Sequence, residues 1–131
     1  PLAFSARCFT ARHYGLNKDD CQFKCLDHPA GMTPKTREGQ PFLAINGIQT
    51  MSAQTYNLLA QVPEMLAMGI DVIRLSPQPQ QMAEIVAAFD GARRGQAVSP
   101  DKRGWADEGL VDGYWFGQPG INTQQQQAQQ Q

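Results

Sequence analysis

Pro41-Phe42-Leu43-Ala44-Ile45-Asn46-Gly47 is the stretch of this chain whose reading decides the fold. It is a nearly continuous apolar run stopped by glycine, as expected for a strand covered on both faces. Downstream, Ser52 can cap a helix whose apolar stripe is Leu58, Leu59, Val62, Met65 and Leu66. Pro63 divides that helix into two short ones and suits the first turn of the second, and Gly69 falls where a C-terminal cap belongs. Ile70-Asp71-Val72-Ile73-Arg74-Leu75 reads as a second strand, stopped by Ser76-Pro77. Met82, Ile85, Val86 and Phe89 then follow the i, i+3, i+4, i+7 rule of an amphipathic helix ending near Gly91 to Gly95. Strand, helix, strand, helix with short links is the repeat of a parallel sheet. A closed (β/α)8 barrel needs ~250 residues, and this chain has 131. The expected fold is therefore α/β: the C-terminal part of a (β/α)8-type, TIM-like barrel, with two βα units over residues 41–95.

Upstream, residues 1–40 have a different texture. Leu2 to Phe9 suits a short strand delivering Cys8 near its end, and Asp19 and Asp20 suit the start of a short helix carrying Cys21 and Cys25. From Asp27 to Gln40 the prolines and glycines predict a long irregular loop. Residues 96–121 hold aromatic–glycine clusters, Gly104-Trp105 and Gly113-Tyr114-Trp115-Phe116-Gly117, without helical or strand periodicity. That composition predicts an irregular segment laid over the core. Residues 122–131 are almost pure glutamine, cannot bury apolar surface and are expected to be disordered.

Acids and bases nearly balance, at a formal net charge of -1, so no basic footprint for nucleic acid is present. No apolar run approaches the ~20 residues that span a bilayer. Three cysteines, an odd number, with no charged–apolar leader argue for a reducing, cytoplasmic setting in which grouped thiols bind metal or do chemistry. The chain opens at Pro1, without an initiator methionine, and is read as a piece of a longer protein.

The cysteines carry the strongest chemical signal. Cys8, Cys21 and Cys25 form C-x12-C-x3-C, and the close pair would face one way on a helix. Unrelated core thiols are the plain alternative. Arg7, Arg12, Lys18 and Lys24 flank the set, and basic neighbours favour the thiolates that a metal needs, although such charges also serve simply as solvated surface. Cys25-Leu26-Asp27-His28 could complete a Cys3His zinc site, whereas an iron–sulfur cluster wants a fourth cysteine that this sequence lacks. Asn46, Gln49, Arg74 and Ser76 fall at strand ends, where barrel enzymes place their sites. Arg74, a charge in an apolar strand, could receive a carboxylate or form an internal ion pair with Asp71 or another acid. No Ser-His-Asp set and no glycine-rich phosphate loop is evident.

The stretch Ser5-Ala6-Arg7-Cys8-Phe9-Thr10-Ala11-Arg12, with Leu16-Asn17-Lys18-Asp19-Asp20-Cys21 and Cys25, resembles the cluster-binding segment of the ubiquinone-biosynthesis members of the peptidase U32 family. The likeness continues through Glu38 to Thr50, Ile73 to Gln78 and Gly113-Tyr114-Trp115. It implies that Cys8, Cys21 and Cys25 hold a 4Fe–4S cluster, with a fourth cysteine in an N-terminal part that this sequence does not include. It further implies a heterodimer with a UbiU-like partner and a role in oxygen-independent, anaerobic hydroxylation of the ubiquinone precursor. Relatives acting on RNA bases suggest prephenate as hydroxyl donor. The residues themselves offer no peptidase machinery. The glutamine-rich tail departs from the family pattern.

Overall fold

The structure, a computed structural model, describes residues 3–99, 104–106 and 108–123. The expected disordered tail lies outside the described residues from Gln124 onward. The chain divides into two compact units, Pro1–Gln54 and Thr55–Gln131.

In the first unit a two-residue strand β1 (Ala3–Phe4) precedes helix α1 (Phe9–His13), and strands β2 (Leu43–Asn46) and β3 (Gln49–Ser52) follow. The sheet is antiparallel throughout, in the order β1-β3-β2, with Asn46 opposite Gln49 and Leu43 opposite Ser52. Gly47 and Ile48 form the hairpin loop. Gly47 takes φ 63° while Ile48 keeps a negative φ, the pattern of a type II′ turn, which matches the twist of the strands it joins. Gly47→Ala is therefore expected to lower stability by about 1 kcal/mol through left-handed strain, read as a drop in the urea midpoint. The loop is tied to α1: Thr10 Oγ1 accepts the Gly47 N–H at 3.0 Å, and Phe9 N–H donates to Gly47 O at 3.0 Å. Thr10 and Ala11 are the only buried residues among those described in this unit. Phe4, Phe23, Leu26 and Phe42 are all exposed.

The second unit holds a parallel pair, β4 (Thr55–Tyr56) beside β5 (Leu110–Val111), with the helical part of the chain running between them. A 3₁₀ turn at Leu59–Gln61 leads into α2 (Val62–Ala67), with Pro63 in its first turn, as expected. The last turn closes as a Schellman motif: Gly69 N–H meets Leu66 O and Ile70 N–H meets Met65 O, each at 3.0 Å, with Gly69 at φ 81°. Helix α3 (Met82–Arg93) turns Ile85, Ala88, Phe89 and Ala92 inward at helical spacing, while Val86, expected on that stripe, is 46% exposed. These residues surround Leu59, Val62 and Trp105, with Ile73, Leu75, Val98 and Leu110 packed against them. A 3₁₀ turn at Gly113–Phe116 is fastened to α2 where Trp115 Nε1 donates to Glu64 Oε2 at 3.3 Å.

Three local expectations meet a different arrangement. Ser52 ends a strand and caps no helix, because the chain turns back at Gly47 and pairs antiparallel with Leu43–Asn46. Ile70–Leu75 presents Ile73 and Leu75 to the core but joins no strand ladder among the described residues, so its alternation is that of a half-buried extended segment. Residues 96–121 are less irregular than expected, since β5 and the 3₁₀ turn lie within them. The described strands do not close into a barrel.

At the end of α3, Asp90 pairs with Arg93 at 2.6 Å and Arg94 at 2.9 Å. The hydrogen bond from Arg93, foremost, holds the Asp90 carboxyl below its ordinary value of 3.8, with burial opposing. A carboxyl lowered by folding stabilises above its unfolded value and loses that contribution as pH falls through its folded one. The difference in melting temperature between the unaltered protein and Asp90→Asn should thus be small, as for any exposed pair, and should vanish as pH drops below that window.

Candidate functional site

The three thiols lie in the first unit, on a short path that folds locally. Cys8 is the N-cap of α1, its sulfur accepting the Ala11 N–H at 3.4 Å. Cys21 closes a 3₁₀ turn at Lys18–Asp20, and Cys25 sits in a second one at Lys24–Asp27, which contacts α1. The single helix expected to carry Cys21 and Cys25 is therefore two turns. Between them Gln22 and Phe23 both adopt left-handed backbone, at φ 51° each, a conformation that costs an L-residue roughly 1–2 kcal/mol. That break removes the reason for the two sulfurs to share a helical face.

All three cysteines are free and half-buried. As donors they suit a thiophilic ion such as zinc or iron. Their placement is another matter: among the described residues no group of three or more His, Cys, Asp or Glu side chains is arranged to hold a metal. The donor types fit a cluster and the arrangement does not.

His28 bears on the zinc alternative. Its Nε2 lies 2.6 Å from Tyr14 Oη, and its ring stacks on that tyrosine at 6.0 Å between centroids. Lys24 Nζ stands 5.8 Å from the same Tyr14 ring. A zinc ion bound through Nε2 would have to displace the phenol. Tyr14→Phe should accordingly increase zinc affinity if His28 is a ligand and leave it unchanged if the thiols act without it, which a competition titration with a chromophoric chelator would resolve. No serine or cysteine side chain is hydrogen-bonded to a histidine among the described residues.

The strand-end residues separate. Asn46 and Gln49 face one another beside the hairpin loop of the first unit. Arg74 and Ser76 line a cavity of about 360 Å³ in the second. Arg74 makes no ion pair with Asp71 and no hydrogen bond among the described residues. Tyr56 lines the same cavity, and its ring meets that of Tyr114 edge-on at 6.2 Å. Burial, foremost, pushes the Tyr56 phenol up, a hydrogen bond with the Trp115 backbone opposes this, and the Asp112 charge adds to it. The cavity escaped the sequence because its walls come from five separated stretches. Only Arg74, a charge within an apolar run, and Ser76 beside it signalled it.

No protein-family model matches this chain, and no solved structure matches it. No helix among the described residues is long and apolar enough to cross a membrane.

Proposed function

We propose that this chain is the cluster-bearing C-terminal portion of a UbiV-like protein of the peptidase U32 family. On this proposal it acts with a UbiU-like partner in oxygen-independent hydroxylation during ubiquinone biosynthesis, in the cytoplasm. Cys8, Cys21 and Cys25 would hold a 4Fe–4S cluster with a fourth cysteine from outside this sequence. A bound cluster of this kind supplies one-electron transfer.

One observation carries the proposal. The unit that holds every cysteine of the chain, all of them unpaired, buries only Thr10 and Ala11 among its described residues. A unit with so little core depends on a metal, a partner or both for its stability. Sites of this type also form as their ligands fold around the ion, so separated thiols are compatible with a metal-organised state. The left-handed pair at Gln22 and Phe23 is a local strain that such a rearrangement could release.

Protein reconstituted anaerobically with iron and sulfide is expected to be brown, with broad thiolate-to-iron absorption and an EPR signal on reduction. Colourless protein carrying stoichiometric zinc would overturn the proposal in favour of a structural zinc module. Gelatin cleavage that survives loss of all three cysteines would favour a U32-type peptidase.

A further inference from the structure

The cavity of the second unit has none of the thiols in its lining. Its volume, about 360 Å³, is far larger than a packing defect and falls in the range of small-molecule sites. Its walls are the apolar faces of Met65, Ile85 and Phe89 from the two helices, with Trp105 and Leu110 from the C-terminal part. Met65, Ile85 and Trp105 are themselves buried, so the floor is made of core side chains held in place by packing.

One edge differs. Arg74 is exposed yet lines the cavity, which puts it at the rim, and it is the only charged residue among the described ones that form the lining. Ser76 and Gln78 follow it along the same edge. That edge is stiff, because Ser76 and Gln78 each precede a proline, Pro77 and Pro79, which confines them to extended backbone. A stiff rim spares a ligand the entropy of ordering it. With no carboxylate in the described lining and no ion pair or hydrogen bond on the guanidinium among the described residues, the cavity presents one positive group above an aromatic and aliphatic floor.

We propose that this cavity binds a small, flat aromatic monocarboxylate. Its ring would lie among Phe89, Trp105 and Ile85, and its carboxylate would take the paired N–H groups of Arg74, with Ser76 Oγ as a further donor. The fork of a guanidinium matches a carboxylate in two parallel hydrogen bonds, and a charged acceptor strengthens both. The proposal rests on the second unit alone and is independent of what the thiols hold.

The test uses 2-naphthoate and its neutral amide as probes, titrated calorimetrically into the unaltered chain at low salt. The acid should bind about tenfold more tightly than the amide, the worth of one charge-assisted pair. Arg74→Gln should bring the acid down to the affinity of the amide and leave the amide unchanged. Retained amide binding also certifies that the variant is folded. Equal affinity of acid and amide for the unaltered protein would overturn the assignment, as would a preference for the acid that survives Arg74→Gln, or no binding of either probe at millimolar concentration.

Discussion

Cys21→Ala is expected to abolish iron and sulfide incorporation on anaerobic reconstitution, and His28→Ala to leave both unchanged. The contrast follows from the proposed three-cysteine cluster. Cys21 ends one 3₁₀ turn between Cys8 and Cys25, and on that proposal its loss would leave the cluster two ligands from this segment. A cubane held by too few thiolates is neither assembled nor retained. His28, in contrast, has its Nε2 engaged by Tyr14 at 2.6 Å and its ring stacked on that tyrosine. Iron and acid-labile sulfide analysis reads both variants. If His28→Ala strips the metal as completely as Cys21→Ala, the three-cysteine assignment fails.

Leu59→Ala is expected to cost the second unit about 2–5 kcal/mol, the range for a leucine truncated in a packed interior. Leu59 is 1% exposed, and it belongs to the same cluster as Val62, Ile85, Ala92 and Trp105. Neighbours on a short 3₁₀ turn and two helices cannot all move to fill the hole. Both tryptophans, Trp105 and Trp115, belong to this unit and none to the first, so tryptophan fluorescence in urea reports on it selectively. That selectivity matters because a chain of two units need not unfold in one step. A midpoint unchanged in Leu59→Ala would show that the cluster does not hold this unit together.

How much of this was legible in the sequence differs residue by residue. Met82–Arg93 announced itself because four apolar positions repeat at helical spacing, and Pro63 and Gly69 fixed the ends of α2 through φ preferences that no tertiary contact overrides. The hairpin did not. Asn46-Gly47 reads equally as a stop or as a turn, and Gln49-Thr50-Met51-Ser52 lacks the alternation that would have revealed a returning strand. β5 spans two residues, too few to leave a period. In the thiol segment the break at Gln22 and Phe23 has no signature, because neither is a glycine or asparagine that would advertise left-handed backbone. Arg74 was legible as an anomaly, but the walls facing it come from distant stretches and no local pattern joins them. The apolar character of Ile70–Leu75 marked a segment that touches the core through Ile73 and Leu75, but it told neither that Ile70 and Val72 face outward nor that the segment has no ladder partner among the described residues.

With only Thr10 and Ala11 buried among the described residues of the first unit, its amide protons have little core to shield them. Their exchange with deuterated water should proceed through small, frequent openings, whereas amides around Leu59, Val62 and Ile85 must await a much rarer event. A map of deuterium uptake along the chain would then show an early-labelling block that contains all three sulfur-bearing residues and a late-labelling block under the cavity floor.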